Sequence, residues 1–264
     1  MDPSASKALS DRVVAVYRSS RRLGLLFDYD GTLVPLAPHP ELAVLDRRAR
    51  RVLEQLSRLP RVFVGVVSGR SLDELTELVG IEGLYYAGVS GLELNLAGTR
   101  VRHPAATGAV VLISHVIELL EAICPEFPGA WVEDKQFGVT VHLRNVDPAR
   151  VPELRSRVAH VVEGVGEPLR ISEGPAALEI TPEAVADNSA AVHAIIRYLG
   201  GRSGAFLYAG DDAGDVSAFA EVAASGGVCV GVGEGAPESA SYRLDSPLEL
   251  IHTLEQVVGL LQAE

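Results

Sequence analysis

Cysteine is scarce in this chain: Cys124 and Cys229 are the only two among 264 residues. Neither has a zinc-ligand spacing, and two distant thiols make no disulfide framework. They read as buried residues of a cytosolic protein. Basic residues are outnumbered, 23 against 35 acidic, for a formal net charge of −12. Such a surface repels nucleic acid and anionic membranes, which sets both aside as partners. It also repels a phosphorylated ligand at long range, so a phosphate site has to be locally positive or hold a metal. Long hydrophobic runs are missing. The first residues, MDPSASKALSDRVVAVYRSSRR, lack the apolar core of a signal peptide. The most apolar stretch, 108–123, is broken by His115, Glu118 and Glu121, which argues against a membrane span. Internal repeats and low-complexity segments are absent as well. What is plentiful is apolar side chain, 47% of the residues. That is enough for a large α/β domain carrying a smaller insertion. A cytoplasmic monomer acting on a small molecule is the expectation.

The order of patterns points to an α/β fold with a doubly wound, mostly parallel sheet. Apolar residues at helical spacing mark 5–20. LGLLFDYDG is then a short apolar run ending in acids and a glycine, which reads as a strand buried on both faces. A helix over 46–59, a β-branched strand over 62–67, a helix opened by a Ser71/Glu74 capping box and closed by Gly80, and a strand over 84–87 continue the alternation. Residues 91–103 read as a hairpin turning at Ala97-Gly98. After Pro104 the rhythm changes to α-β-β-α-β-β, which predicts an antiparallel sheet with two helices on one face. These patterns divide the chain into a core over 1–106 and 183–264 and an inserted cap over 107–182. The first rhythm then resumes, with a helix from Asn188 capped by Asp187, strands over 205–209 and 228–232, and a last helix over 247–261.

Three strand ends carry the chemistry. Asp28-Tyr29-Asp30-Gly31-Thr32 places two carboxylates on the turn after the first buried strand, where open α/β sheets bind ligands. One can attack phosphorus while the other exchanges protons with the leaving oxygen, and Mg2+ would hold acids and phosphate together. A plain acidic turn would look the same. Gly210-Asp211-Asp212, with Asp215 close behind, is a second acid cluster after a strand. It reads as a metal site, or as a helix start with acids in its first turn. Ser68-Gly69-Arg70 offers a hydroxyl and free amides that can grip phosphate oxygens, although Ser-Gly also simply ends strands.

D-x-D-G-T, then S-G-R, then G-D-D, each directly after a buried strand, together resemble the haloacid dehalogenase superfamily. Within it the chain looks most similar to the trehalose-6-phosphate phosphatases. The residues carrying this are DYDGTL from Asp28, SGR from Ser68, GLE from Gly91, E-D-K from Glu133, H-L-R from His142, L-E-I from Leu178 and GDD…D from Gly210. The resemblance implies a Mg2+-dependent phosphatase whose substrate is trehalose 6-phosphate or a closely related (pseudo)disaccharide phosphate. It gives catalysis to Asp28, the nucleophile, and Asp30, the acid/base. It gives the metal to Asp28, Asp30, Asp211 and Asp212, and phosphate binding to Thr32, Ser68, Gly69 and Asn188. It gives the sugar to Arg70, Glu133, Lys135, His142, Arg144 and Glu179. Without it, the cap charges would read as cross-strand ion pairs, Glu133 or Asp134 with Arg144.

The chain departs from the family pattern at several places. The family's Lys-Gly at the start of the helix after the cap is Asn188-Ser189 here. Losing one such electrostatic contact typically costs about 10²–10³ in rate. The family's G-x-H-G is Gly88-Val89-Ser90-Gly91, and Gly214 and Val216 stand where it has threonine and glutamate. A non-catalytic phosphosugar-binding protein is the alternative these departures raise.

Overall fold

The computed structural model describes residues 3–174, 176–183, 187–201 and 205–263. The chain divides into two units, Met1–Val101 with Asp187–Glu264, and Arg102–Ala186. The inserted unit is therefore a few residues longer at each end than the 107–182 read from the sequence.

The larger unit is built on an eight-stranded sheet: β1 (Leu23–Asp28), β2 (Val62–Val67), β3 (Tyr85–Gly88), β4 (Glu93–Leu96), β5 (Thr99–Arg102), β10 (Phe206–Gly210), β11 (Val228–Val232) and β12 (Tyr242–Leu244). Their spatial order is β12-β11-β10-β1-β2-β3-β4-β5. The strands from β12 to β3 run parallel, and β4 turns back antiparallel along β3. Parallel strands need crossovers, and here the crossovers are helices that cover both faces. Helices α1 (Pro3–Ser20), α2 (Arg47–Ser57), α3 (Leu72–Val79) and α8 (Pro247–Gln262) pack over Leu25, Phe27, Val64 and Val230. Helices α6 (Asn188–Tyr198) and α7 (Val216–Ala224) pack over Leu26, Phe206, Tyr208 and Cys229 on the other face. Alternate residues of one strand thus enter opposite cores, so β1 is apolar at every position until Asp28.

The local signals act as the chemistry requires. Asp46 caps α2 by accepting from the Arg48 and Ala49 amides. Ser71 caps α3 through the Glu74 amide, and Gly80 closes that helix in the left-handed region at φ 59°. Only half of the expected capping box forms, because the Glu74 carboxylate turns to Arg70 instead. Strand β12 was not legible: three residues after a polar loop carry too little periodicity.

The smaller unit holds β6 (Trp131–Asp134), β7 (Val139–His142), β8 (Leu169–Gly174) and β9 (Ala177–Pro182) in the order β6-β7-β9-β8, antiparallel throughout. Helices α4 (Pro104–Ile123) and α5 (Val151–Val165) bury Ile113, Val116, Leu120, Leu154 and Val158 against Val139, Val141, Leu178 and Ile180. By length and composition, 104–126 would be enough to cross a membrane. In this structure its buried stripe is part of that core.

Candidate active site

Strands β10, β1 and β2 are neighbours at the centre of the parallel sheet, with Phe27 level with Ala209 and Asp28 level with Val67. Their carboxyl ends bring the three motifs together. The turn after β1 is tight: the Leu33 and Val34 amides both donate to the Tyr29 carbonyl, and the Gly31 amide donates to Val34. Gly31 adopts φ +93°, and a Cβ on it would lie 2.0 Å from Asp211 Oδ2. Backbone conformation and the approach of Asp211 both demand glycine here. Thr32, fully buried, donates to Asp211 Oδ1 at 3.2 Å.

Oxygens of Asp28, Asp211 and Asp215 all lie within 4.8 Å of one another. Burial, then the charges of Asp215, Asp211, Asp30 and Asp212, push the Asp28 carboxyl well above the usual range. Burial first, then Asp212 and Asp215, raise Asp211 to about 7. Burial raises Asp215 to about 6, against the lowering effect of the Tyr208 hydroxyl. Asp28 and Asp211 at adjacent strand ends offer the oxygen donors that a hard divalent cation prefers, and a cation would relieve the repulsion among the three crowded carboxylates. Asp28 and Asp211, both expected as ligands, belong to this group. Asp215, left out of the expected ligands, lies in it too, although its place in the Gly210–Asp215 cluster was visible. Asp212 instead caps a short turn, accepting from the Gly214 amide at 2.7 Å.

Asp30 has a different partner. Arg70 grips it with two bonds, Nε to Oδ2 at 2.6 Å and Nη2 to Oδ1 at 2.9 Å. The same guanidinium donates from Nη2 to the Pro40 carbonyl at 2.9 Å and from Nη1 to Glu74. Arg70 is 5% exposed. Expected to touch substrate, its guanidinium is instead engaged by protein acceptors. Ser68 is buried, and its Oγ accepts the Arg70 amide at 3.2 Å. The turn after β3 laces onto this one: the Val89 and Ser90 amides donate to the Arg70 and Ser68 carbonyls. Val89 and Ser90 both adopt positive φ, 46° and 52°, a cost the surrounding bonds offset.

Asn188 opens α6, one residue after the cap Asp187. Its Nδ2 donates to Asp215 Oδ1 and to the Tyr208 hydroxyl, each at 3.3 Å. Tyr208 is fully buried and donates to the same Asp215 oxygen at 2.6 Å. Sequence reading missed Tyr208 because it lies inside an apolar strand, where a tyrosine passes for core.

In the smaller unit, the sheet face opposite the helices carries Glu133, Thr140, His142 and Glu179. His142 Nε2 meets Glu133 Oε2 at 2.6 Å, and its ring stacks on Trp131 at 3.8 Å and 7°. Lys135, 7% exposed, reaches Glu179 at 3.4 Å. The Thr140 hydroxyl is buried without a partner among the described residues. Arg144 is exposed in the turn after β7.

A mostly parallel sheet with acids at its central strand ends and an inserted α/β unit is the architecture of the haloacid dehalogenase class. One solved structure of similar fold is a haloacid dehalogenase-like hydrolase from Bacteroides thetaiotaomicron, with TM-score 0.63 at 14% identity, covering 89% of this chain and 99% of that one. The sequence model of the trehalose-phosphatase family matches residues 26–247, and the chain belongs to that family, whose members are phosphoric monoester hydrolases. The trehalose-phosphate phosphatase of Mycobacterium tuberculosis is 34% identical over 272 residues, 98% of this chain and 66% of that protein. That of Mycobacterium avium is 32% identical over 273 residues, 98% of this chain and 68% of that protein. The chain thus spans about two thirds of the length of these relatives. The C-terminal domain of the C. albicans trehalose-6-phosphate phosphatase aligns with TM-score 0.83 at 22% identity, covering 95% of this chain and 97% of that one.

Proposed function

We propose that this chain is a Mg2+-dependent phosphatase acting on trehalose 6-phosphate or a closely related (pseudo)disaccharide phosphate. The observation that carries the reading is the meeting of Asp28 with Asp211 at adjacent strand ends, two residues from a second carboxylate, Asp30, in a different environment. Family membership supports the reaction class. Asp28 and Asp211 would hold Mg2+, together with the backbone carbonyl of Asp30. When bound, the ion supplies positive charge that offsets the carboxylates and the phosphoryl oxygens.

An oxygen of Asp28 attacks phosphorus, the bond from phosphorus to the sugar oxygen breaks, and Asp30 gives that oxygen a proton. Asp30 then takes a proton from water. The water oxygen attacks phosphorus, the bond to Asp28 breaks, and phosphate leaves with the carboxylate restored. Thr32, Ser68 and the Gly69 amide hold phosphate oxygens. Arg70 holds Asp30 rather than the sugar. Glu133, Lys135, His142, Arg144 and Glu179 give the sugar hydroxyls donors and acceptors on one sheet face and the turn beside it. A cytoplasmic location and a monomeric state go with this reading.

A non-catalytic phosphosugar binder is not favoured, because both motif carboxylates are present and Asp28 meets Asp211 at adjacent strand ends. The test is phosphate release from a panel of sugar phosphates with and without Mg2+. Release that depends on Mg2+ and favours the disaccharide supports the reading. Turnover that survives chelation, or no turnover on any member, contradicts it.

A further inference from the structure

Asp215 lies in the acid cluster, yet its carboxylate is already fully used. An ionised carboxylate has about four acceptor positions. The Asp211 amide takes one on Oδ2 at 2.9 Å, and the Asp212 amide takes a longer one at 3.4 Å. The Tyr208 hydroxyl and the Asn188 amide share Oδ1, at 2.6 and 3.3 Å. Asp215 is 1% exposed, so bulk solvent does not reach those positions. Asp211, by contrast, accepts from the Thr32 hydroxyl and otherwise meets Asp28, the other carboxylate of the cluster. The two amides that Asp215 binds belong to the loop residues that include Asp211. Whatever fixes the Asp215 carboxylate therefore fixes the direction in which Asp211 is presented.

Two side chains do the fixing, from two elements. Tyr208 stands on β10, three residues before Asp211 opens the loop. Asn188 stands on the first turn of α6. Because an ionised Asp215 only accepts, the amide turns its Nδ2 toward it, and this leaves Asn188 Oδ1 buried without a partner among the described residues. An amide that keeps one end unpaired to hold the other on Asp215 is oriented by that contact. Gly210 completes the arrangement: a Cβ there would lie 2.3 Å from the Asp215 carboxyl carbon. The carboxylate occupies the space that glycine leaves open.

We infer that Asn188 and Tyr208 are positioning residues that clamp Asp215, and that Asp215 orients the loop carrying Asp211 instead of ligating the metal. The metal half of this inference rests on the reading given under Proposed function; the clamp itself does not. Partners that hold a ligand in place typically change metal affinity by about 10–100-fold when removed.

The experiment uses the full chain with Tyr208→Phe, Asn188→Ala, the double variant, and each single change placed on Asp215→Asn. Hydrogen exchange of the 210–216 segment is measured without metal, and Mg2+ affinity by calorimetry without substrate. Faster exchange in both single variants is expected, with Mg2+ binding weakened about 10-fold. In the double variant the losses should combine to less than their product, because both act on one oxygen. On Asp215→Asn neither change should have a further effect. Unchanged exchange and affinity with only a lower Tm would overturn the clamp, leaving both residues as packing. Tighter Mg2+ binding in Tyr208→Phe would also overturn it, since it would mean that Asp215 is a ligand the phenol had been blocking. A wild-type chain that takes up no Mg2+ would contradict the metal reading, and the exchange data would still decide the clamp.

Discussion

Asp28 and Asp30 are two residues apart but have different neighbours. Asp28 faces Asp211 and Asp215, and Asp30 is held by the Arg70 fork. Two carboxylates with different surroundings can take different roles in one reaction. Asp28→Asn should lower phosphate release by at least about 10³, because the attacking oxygen loses its charge. Asp30→Asn should depend on the leaving group. A sugar alkoxide needs a proton, so that substrate should lose about 10²–10⁴. A 4-nitrophenyl ester leaves without help and should lose far less. Arg70→Met should show the same contrast in a milder form, with kcat falling more than KM rises, and Arg70→Lys should restore part of it. Equal losses on both esters would mean that Arg70 only holds the turn together. The resemblance assigned Arg70, the last residue of the S-G-R motif, to the sugar. Only the fold brings Asp30, Glu74 and Pro40 around it, from three separate segments.

At the scale of elements, the site depends on loops that must approach one another closely. Gly31 and Gly210 both lie where a Cβ would meet a carboxylate, 2.0 Å from Asp211 Oδ2 and 2.3 Å from the Asp215 carboxyl carbon. Gly210→Ala should therefore weaken Mg2+ binding and turnover together, measured by calorimetry and phosphate release. Asp46→Ala is the contrasting case. It removes the cap of α2 and should cost about 1 kcal/mol of stability in denaturant unfolding, with kcat unchanged. Most elements were legible from the sequence for the same kind of reason. Buried parallel strands are short apolar runs such as Leu23–Phe27, and helix ends carry residues such as Asp46, Ser71 and Gly80. The part of the site that was hidden is its mutual hydrogen bonding. Tyr208 looks like core in a strand that is buried on both faces, and its contact with Asp215 depends on how a loop folds back. Glu74 fits a capping box by spacing, but a buried guanidinium is the stronger partner.

For the molecule as a whole, the crowded acids link stability to pH and metal. Burial and neighbouring acids hold Asp211 at about 7 and Asp215 at about 6, above the ordinary value of 3.8. Between pH 4 and 7 the folded metal-free protein thus binds more protons than the unfolded chain, so its stability falls as pH rises through that window. Thermal unfolding without metal should show a higher Tm at pH 5.5 than at pH 8, and Mg2+ should reduce the difference at the upper end. The two-unit organisation was visible as a change of rhythm after Pro104, because a parallel α/β core and an antiparallel sheet under two helices alternate differently. The net charge of −12 is consistent with a site that admits phosphate only through local positive charge or metal. The most direct test of metal-assisted phosphoryl transfer to Asp28 is phosphate release from trehalose 6-phosphate by wild type and Asp28→Asn, each with Mg2+ and with chelator. Release by wild type with Mg2+ alone is the predicted result. Release by Asp28→Asn, or by wild type under chelation, would contradict the account.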